Sequence, residues 1–470
     1  MASLADKVFE DYKGIQPSAD FVNNQIRTYV DGRMMKEYGS FLKVRTASET
    51  VDKIRKLANK AGLIIGDVSD DQSFFVSDED LGMNGAYGNA CALVKPGKSS
   101  APLRIVASHI DTPCLSLTPQ PVYFEIDALA QNFCPSFSLI TDSYGGIRPE
   151  DWYGMDVKIV GNVFKNGKKG KKIEIPGVIK HKSLHVDDGD EKKGYYGLKV
   201  DTGFRELNDL HKALGVKDGM ELGSSKFYVV PNIGGKNLFI VGNDMIAYGQ
   251  DDRSCAWASL DAFLRTQKHT DNTTISFFLD QEEVGGKASS AGYRGFFESV
   301  IKETIKATRG SKFYKNLDMP LDLSKSLMGD MPLIISDVDV SMGPLEIEQC
   351  NLDSSLDLFN AIKQGWGFFI NAQGPEWDVS HASVEHISRI SSLMNKGFGK
   401  KSKSRYQVVG NLNTKDSDFS SATAADIFSK YAPCVVMGVG VVGLHSPRSE
   451  SVNKYDLYWL KRGLELFFKS

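Results

Sequence analysis

Short apolar runs that stop at or near a side chain able to hold a metal recur along the chain. Leu103-Arg104-Ile105-Val106-Ala107 runs into Ser108-His109-Ile110-Asp111. Thr274-Ile275-Ser276-Phe277-Phe278-Leu279 runs into Asp280-Gln281-Glu282-Glu283, Pro332-Leu333-Ile334-Ile335 into Ser336-Asp337, and the glycine-rich run from Cys434 ends at His445. Runs of this length without polar alternation are those of strands covered on both faces, as in a parallel sheet. Between them Ala256, Leu260, Phe263 and Leu264 keep helical spacing, as do Phe297, Val300, Ile301 and Ile305. Leu457, Leu460, Leu464 and Phe467 predict an amphipathic helix closing the chain. The expectation is an α/β fold with a mixed, mainly parallel sheet flanked by helices. In such sheets the carboxyl ends of the strands line the ligand crevice, so residues far apart in sequence converge there.

The texture changes between about Thr118 and Val241. Short β-like runs (Val157-Lys158-Ile159-Val160, Phe227-Tyr228-Val229-Val230, Leu238-Phe239-Ile240) alternate with glycines and with a lysine-rich loop from Lys165 to Lys172. This predicts a β-rich domain, residues 118–242, inserted between two parts of the helix-bearing domain, 1–117 and 243–470. The lysine loop between two strand-like runs reads as a solvated hairpin tip.

Composition narrows the function. In 470 residues, 56 basic side chains face 59 acidic ones, for a net charge of −3, and 41% of residues are hydrophobic. Such a chain folds into ordinary globular domains, and its near-neutral balance argues against nucleic acid as the main partner. The apolar run from Cys434 to Leu444 is too short for a membrane span, which needs about 18–20 residues. The N-terminal stretch lacks a basic segment followed by an apolar one, so a cytoplasmic protein without a membrane partner is expected. The 6 cysteines form no CxxC pairs, which fits reduced thiols.

The chemistry lies in the polar residues at the strand ends, joined by the paired aspartates Asp251 and Asp252 before a helix. His109, Asp111, Asp251, Asp252, Glu282, Glu283, Asp337 and His445 are imidazoles and carboxylates with no thiolate. That donor set suits zinc, manganese or cobalt in an open catalytic site, and it is large enough for two ions sharing a carboxylate. In His109-Ile110-Asp111 the spacing puts both side chains on one side of an extended segment, so Asp111 can fix the histidine tautomer. In Glu282-Glu283 one carboxylate can bind metal while its neighbour takes a proton from water. Asp251 and Asp252 can also cap the following helix.

The wording and order of these segments resemble the aspartyl aminopeptidase family of dinuclear-zinc aminopeptidases, which includes vacuolar aminopeptidase one. The resemblance spans nearly the whole chain: SHIDTPCLSLTPQP from Ser108, DSYGGI with Trp152 downstream, IPGVIKH ending at His181, YGQDDR from Tyr248, DQEEVGG from Asp280, IISDVDV from Ile334 and GLHSPR from Gly443. It implies a metallopeptidase catalytic domain interrupted by a β-rich dimerisation domain, and two divalent ions per subunit, zinc first, with cobalt or manganese open. Asp251 would bridge them, His109 and Asp337 would complete one set, and Glu283 and His445 the other. Glu282 would be the general base and Asp111 the partner of His109. The resemblance also implies peptide substrates and a homo-oligomer, a tetrahedral dodecamer, in which His181 reaches a neighbouring subunit's site and helps bind substrate.

The chain departs from the family pattern near Asp378-Val379-Ser380-His381 and in the stretch NTKDSDFSSATAAD from Asn413. Both departures bear on which N-terminal side chain is accepted, acidic or hydrophobic, because such loops shape the pocket. An acidic substrate would call for a cationic group near the pocket, such as Arg253, Lys415 or His381, which sequence alone does not place there. Two other readings use the same residues: a dinuclear metal deacylase or amidohydrolase, and a self-assembling shell protein that has lost turnover. The intact base and ligand set weighs against the second. Whether Asp252 or Asp339 touches a metal is open from sequence.

Overall fold

The computed structural model describes residues 19, 22–69, 71–83, 88–98, 101–125, 136–165, 168–180, 198–233, 238–266, 271–284, 290–310, 327–341, 361–372, 383–399, 405–410 and 423–470. His181, His381 and Lys415 lie outside the described residues. The chain divides into two compact units, one of Met1–Thr112, Leu238–Leu444 and Glu450–Ser470, the other of Pro113–Asn237 and His445–Ser449.

The larger unit is built on a nine-stranded mixed sheet. Its strands run, edge to edge, Ile64–Ile65, Phe74–Ser77, Cys91–Lys95, Thr273–Leu279, Leu103–His109, Leu333–Ser336, Cys434–Gly438, Phe368–Asn371 and Tyr406–Val409. The centre is parallel: Thr273–Leu279 and Leu333–Ser336 flank Leu103–His109 on either side, and Cys434–Gly438 continues the run. Alternate side chains of each strand enter opposite cores, as a period of two requires. Ile105 and Ala107 join one apolar cluster and Val106 the other; Ile275, Phe277 and Leu279 separate from Phe278 in the same way. Both faces being covered, these strands read as unbroken apolar runs. A second sheet of the same unit orders Leu238–Val241, Asp244–Ala247, Glu450–Asn453, Gly440–Val442 and Asp339–Val340.

The three helices expected from apolar spacing form at Gln250–Arg265, Ser290–Arg309 and Lys454–Lys469. Helix Gln250–Arg265 is buried along almost its whole length, which its small residues Ser254, Cys255, Ala256, Ala258 and Ala262 permit. Its far end is held by Lys95, whose buried ammonium donates to the Phe263 carbonyl and, at 2.9 Å, to that of Thr266. Both carbonyls lie at the helix end, where internal partners run short; that of Phe263 also accepts from the Thr266 N–H at 3.2 Å, and together they keep the buried cation satisfied. The closing helix begins at Asn453, whose side chain accepts from the Tyr455 N–H at 3.0 Å.

The smaller unit contains a closed antiparallel barrel of Lys226–Pro231, Cys114–Glu125, Ser136–Tyr144, Lys199–Asp201, Lys168–Ile179 and Met155–Lys165. Its boundary differs from the expected 118–242. Leu238–Val241 pairs with Asp244–Ala247 across a tight hairpin and so belongs to the larger unit, although its composition looks like that of the barrel strands. No helix among the described residues is long and apolar enough to cross a membrane.

Candidate metal centre

Parallel pairing sets the carboxyl ends of the central strands side by side. His109 is level with Leu279, and Ala107 with Ile335, so the segments that follow each strand leave the sheet at one edge. Those segments carry Asp111, Glu282 with Glu283, and Asp337, and this adjacency is why residues so distant in sequence meet.

His109 is the hub. Its side chain is 2% exposed; Nδ1 lies 3.2 Å from Asp111 Oδ1, and Nε2 lies 3.1 Å from Asp251 Oδ1, 3.4 Å from Asp337 Oδ1 and 3.9 Å from Glu282 Oε2. Ligand atoms of His109, Asp251, Asp252 and Asp337 all lie within 4.8 Å of one another, and those of Asp251 and Glu283 come equally close. Asp111 stands behind the ring rather than among these atoms. Besides facing His109, it accepts from the backbone N–H of Glu282 at 3.3 Å and of Glu283 at 3.1 Å. One carboxylate thus orients the imidazole and fixes the turn that presents both glutamates, the usual outer support of a metal-binding histidine.

The aspartate pair sits where helix Gln250–Arg265 begins. Gly249, with φ 76°, turns the chain into it; Asp251 and Asp252 take non-helical angles, and the peptide between them is cis. Thr112 Oγ1 donates to the Asp251 carbonyl at 2.9 Å. On the far side Asp337 reaches the site from a backbone pressed against Gly438: a Cβ there would lie 1.5 Å from the Asp337 carbonyl oxygen, so only glycine fits.

The charges are poorly compensated by protein alone. Burial pushes the Asp252 carboxyl well above the usual carboxylate range; Asp337 and Asp251 push the same way, while His109 opposes them. Burial, and then the charge of Asp251, does the same to Glu283. Burial would lower the His109 pKa, but the Asp337 charge and bonds to Asp111, Asp251 and Asp337 outweigh it and hold the pKa well above the ordinary value. Asp339 is pushed up to about 6, mainly by burial. Among the described residues no N–H or O–H donates to either carboxylate oxygen of Asp252, a fully buried residue, and the Cys255 thiol beside it is a weak donor. A buried carboxylate with so little donor compensation, among other carboxylates and an imidazole, is what a cation-binding site presents. The residues fit a divalent ion with nitrogen and oxygen ligands.

The structure therefore brings together His109, Asp111, Asp251, Glu282, Glu283 and Asp337, and it adds Asp252, whose role sequence left open. Asp339 is not among the grouped ligand atoms. His445 belongs to the smaller unit, where it has φ 64° and its Nδ1 lies 2.5 Å from the Gly146 carbonyl oxygen. Thr112, Gln250 and Gly438 were not singled out from sequence. Gln250 had a signal in its place beside the aspartate pair; Gly438, inside a glycine-rich strand, had none that told it from its neighbours.

Comparison with known proteins adds a similarity. The profile described as aminopeptidase I zinc metalloprotease (M18) matches residues 221–341, a stretch holding Asp251, Asp252, Glu282, Glu283 and Asp337. The chain is 26% identical over 469 residues to the probable M18 family aminopeptidase 1 of Borrelia garinii subsp. bavariensis, across 92% of this chain and 95% of that one. It matches the crystal structure of an M18-family aminopeptidase from Thermotoga maritima with a TM-score of 0.76 at 21% identity, over 97% and 99% of the two chains. The S. cerevisiae mApe1 dodecamer has the same fold, with a TM-score of 0.66 at 16% identity over 94% of this chain and 97% of that one.

Proposed function

We propose, from the chain's similarity to M18 family aminopeptidases, that it is a metal-dependent exopeptidase removing N-terminal residues from peptides. The observation that carries this reading is the His109–Asp251–Asp252–Asp337 cluster, with Asp111 behind it and Glu282 at its rim. His109, Asp251 and Asp337 would hold a metal, with the buried Asp252 carboxylate beside them. A second ion, held by Glu283 and His445 with Asp251 shared, rests on the family resemblance alone. When bound, the metal supplies Lewis acidity for a water nucleophile and for the scissile carbonyl.

The chain's own residues do the rest. With a metal bound, Asp111 would accept the Nδ1 proton of His109 and leave the Nε2 lone pair to the ion. Glu282, held by its N–H to Asp111 and exposed at 13%, can meet a water from the open side. We assign it the proton taken from the attacking water and returned to the departing amine nitrogen. Self-association is also part of the reading, since the relative from S. cerevisiae is a dodecamer. In it the barrel unit would serve as the dimerisation domain, and His181 would contribute to substrate binding.

The test is hydrolysis of aminoacyl reporter amides (Asp, Glu, Leu, Ala, Lys) beside their N-acetylated forms, with and without zinc, manganese or cobalt. Metal-dependent release from free-amine substrates alone is expected. Turnover of acetylated substrates would point to a deacylase instead, and silence throughout would remove the enzymatic reading.

A further inference from the structure

Behind the aspartate pair lies a buried polar knot with no place in the chemistry above. Gln250, which directly precedes Asp251, is completely buried, as is Tyr38 from the short helix Met35–Phe41. The Tyr38 hydroxyl donates to the Gln250 side-chain carbonyl, a contact that spans 212 positions of sequence. The Gln250 amide donates in turn to the Met245 carbonyl, and its backbone N–H donates to Glu450 Oε2 at 2.7 Å. Three elements remote from one another in sequence therefore grip the one residue from which Asp251 and Asp252 project. Burial raises the Tyr38 phenol well above its usual range, so it stays a donor throughout the working pH. Its ring packs against Trp257 on the same helix as the aspartates, 5.4 Å between centroids.

We propose that Tyr38 is a positioning residue for the metal centre: through Gln250 it fixes the segment that carries Asp251 and Asp252. The arrangement needs such a device because the two aspartates are not in helical conformation, and so the helix that follows does not by itself dictate where their carboxylates point. Groups hydrogen-bonded to metal ligands typically change metal affinity by about 10–100-fold when removed, and Tyr38, acting one residue farther out, is expected at the low end of that range. A tyrosine serving only the core would change stability and leave affinity alone.

The inference rests on the proposed metal centre, and binding of the metal alone tests it without reference to turnover. Zinc or manganese affinity of the full chain is measured by competition with a chromophoric chelator, beside the melting temperature of the metal-free protein. Tyr38→Phe removes one oxygen and is expected to weaken metal binding about tenfold. Ser259→Ala is the control: it removes a buried 2.7 Å hydrogen bond between Ser259 and Ser276 from the same helix and touches neither Gln250 nor the ligands. It is expected to lower the melting temperature and keep wild-type affinity. Should Tyr38→Phe fail to fold, Gln250→Met cuts the same bonds from the other side and is expected to show the same weakening. Wild-type affinity in a folded Tyr38→Phe protein, or an equal loss in Ser259→Ala, overturns the positioning role. If the wild-type protein binds no divalent ion, the functional reading fails first and this inference fails with it.

Discussion

Asp111 and His109, two residues apart, form a rigid pair: Oδ1 of the first lies 3.2 Å from Nδ1 of the second, both side chains nearly closed to solvent. The same carboxylate takes the N–H groups of Glu282 and Glu283. Replacing Asp111 by Asn keeps the size but removes the charge and gives the side chain an N–H of its own, which cannot satisfy three donors. Asp111→Asn is expected to lower metal affinity and activity together by about 10–100-fold. Metal content after dialysis, set beside kcat/KM, checks this; unchanged metal content would sink the assignment.

Glu282 calls for the opposite outcome. Its Oε2 lies 3.9 Å from His109 Nε2, farther than either Asp251 or Asp337, as suits a group that handles a proton rather than a ligand. Glu282→Gln should keep the metal and lose about 10²–10⁴-fold in kcat, the usual share of a general base. A variant with near-normal turnover removes Glu282 from that role.

The three central strand ends were legible because an apolar run covered on both faces has one obvious place to stop, and parallel neighbours stop together. That reasoning found His109, Asp337 and the Glu282–Glu283 pair. It left Asp252 undecided for a physical reason. Adjacent residues in a regular strand or helix point in different directions, and only the irregular angles at Asp251 and Asp252 let both join one cluster. Tyr38 and Glu450 were illegible altogether, since their contacts with Gln250 cross 212 and 200 positions and neither stands in a chelating pattern. The boundary near residue 238 was misplaced because Leu238–Val241 is as β-like as the barrel strands, and composition does not say which sheet a strand joins.

Removal of metal should expose the electrostatic cost of the site. Asp252 and Glu283 have raised pKa values in the fold, so the metal-free native state holds protons that the unfolded chain has released. His109, also raised, acts in the same direction. With the native state binding more protons, stability falls as pH rises above the unfolded carboxylate value of about 4. The melting temperature of chelator-treated protein is expected to drop from pH 5 to pH 8, and Asp252→Asn to flatten that drop. Added zinc or manganese, which prefers deprotonated ligands, should recover more at pH 8 than at pH 5. A metal-free protein whose melting temperature climbed across this range would contradict the picture.

His181 lies outside the described residues, and its role in the proposed oligomer is open to a simple separation. His181→Ala should elute at the wild-type size from a sizing column while kcat/KM on peptide substrates falls. Unchanged kinetics would take it out of the substrate site, and loss of the oligomer would make it an assembly residue.

Gly249 offers a test of how tightly the aspartate segment is built. It sits at φ 76°, where a side chain costs about 1–2 kcal/mol. An added Cβ would also lie 2.1 Å from an Arg253 guanidinium nitrogen. That guanidinium cannot easily retreat, because it is fully buried, with Tyr248 5.5 Å from it. The cheaper response is for the backbone to move, and the next residues along it are Gln250, Asp251 and Asp252. Gly249→Ala should therefore lose metal affinity as well as stability, whereas alanine at Gly203, which also has positive φ but open space around it, should lose stability alone. Chelator competition on the two variants, each at a temperature well below its own melting point, decides the matter. Equal affinities would mean that the guanidinium yields and the ligand segment stays where it is.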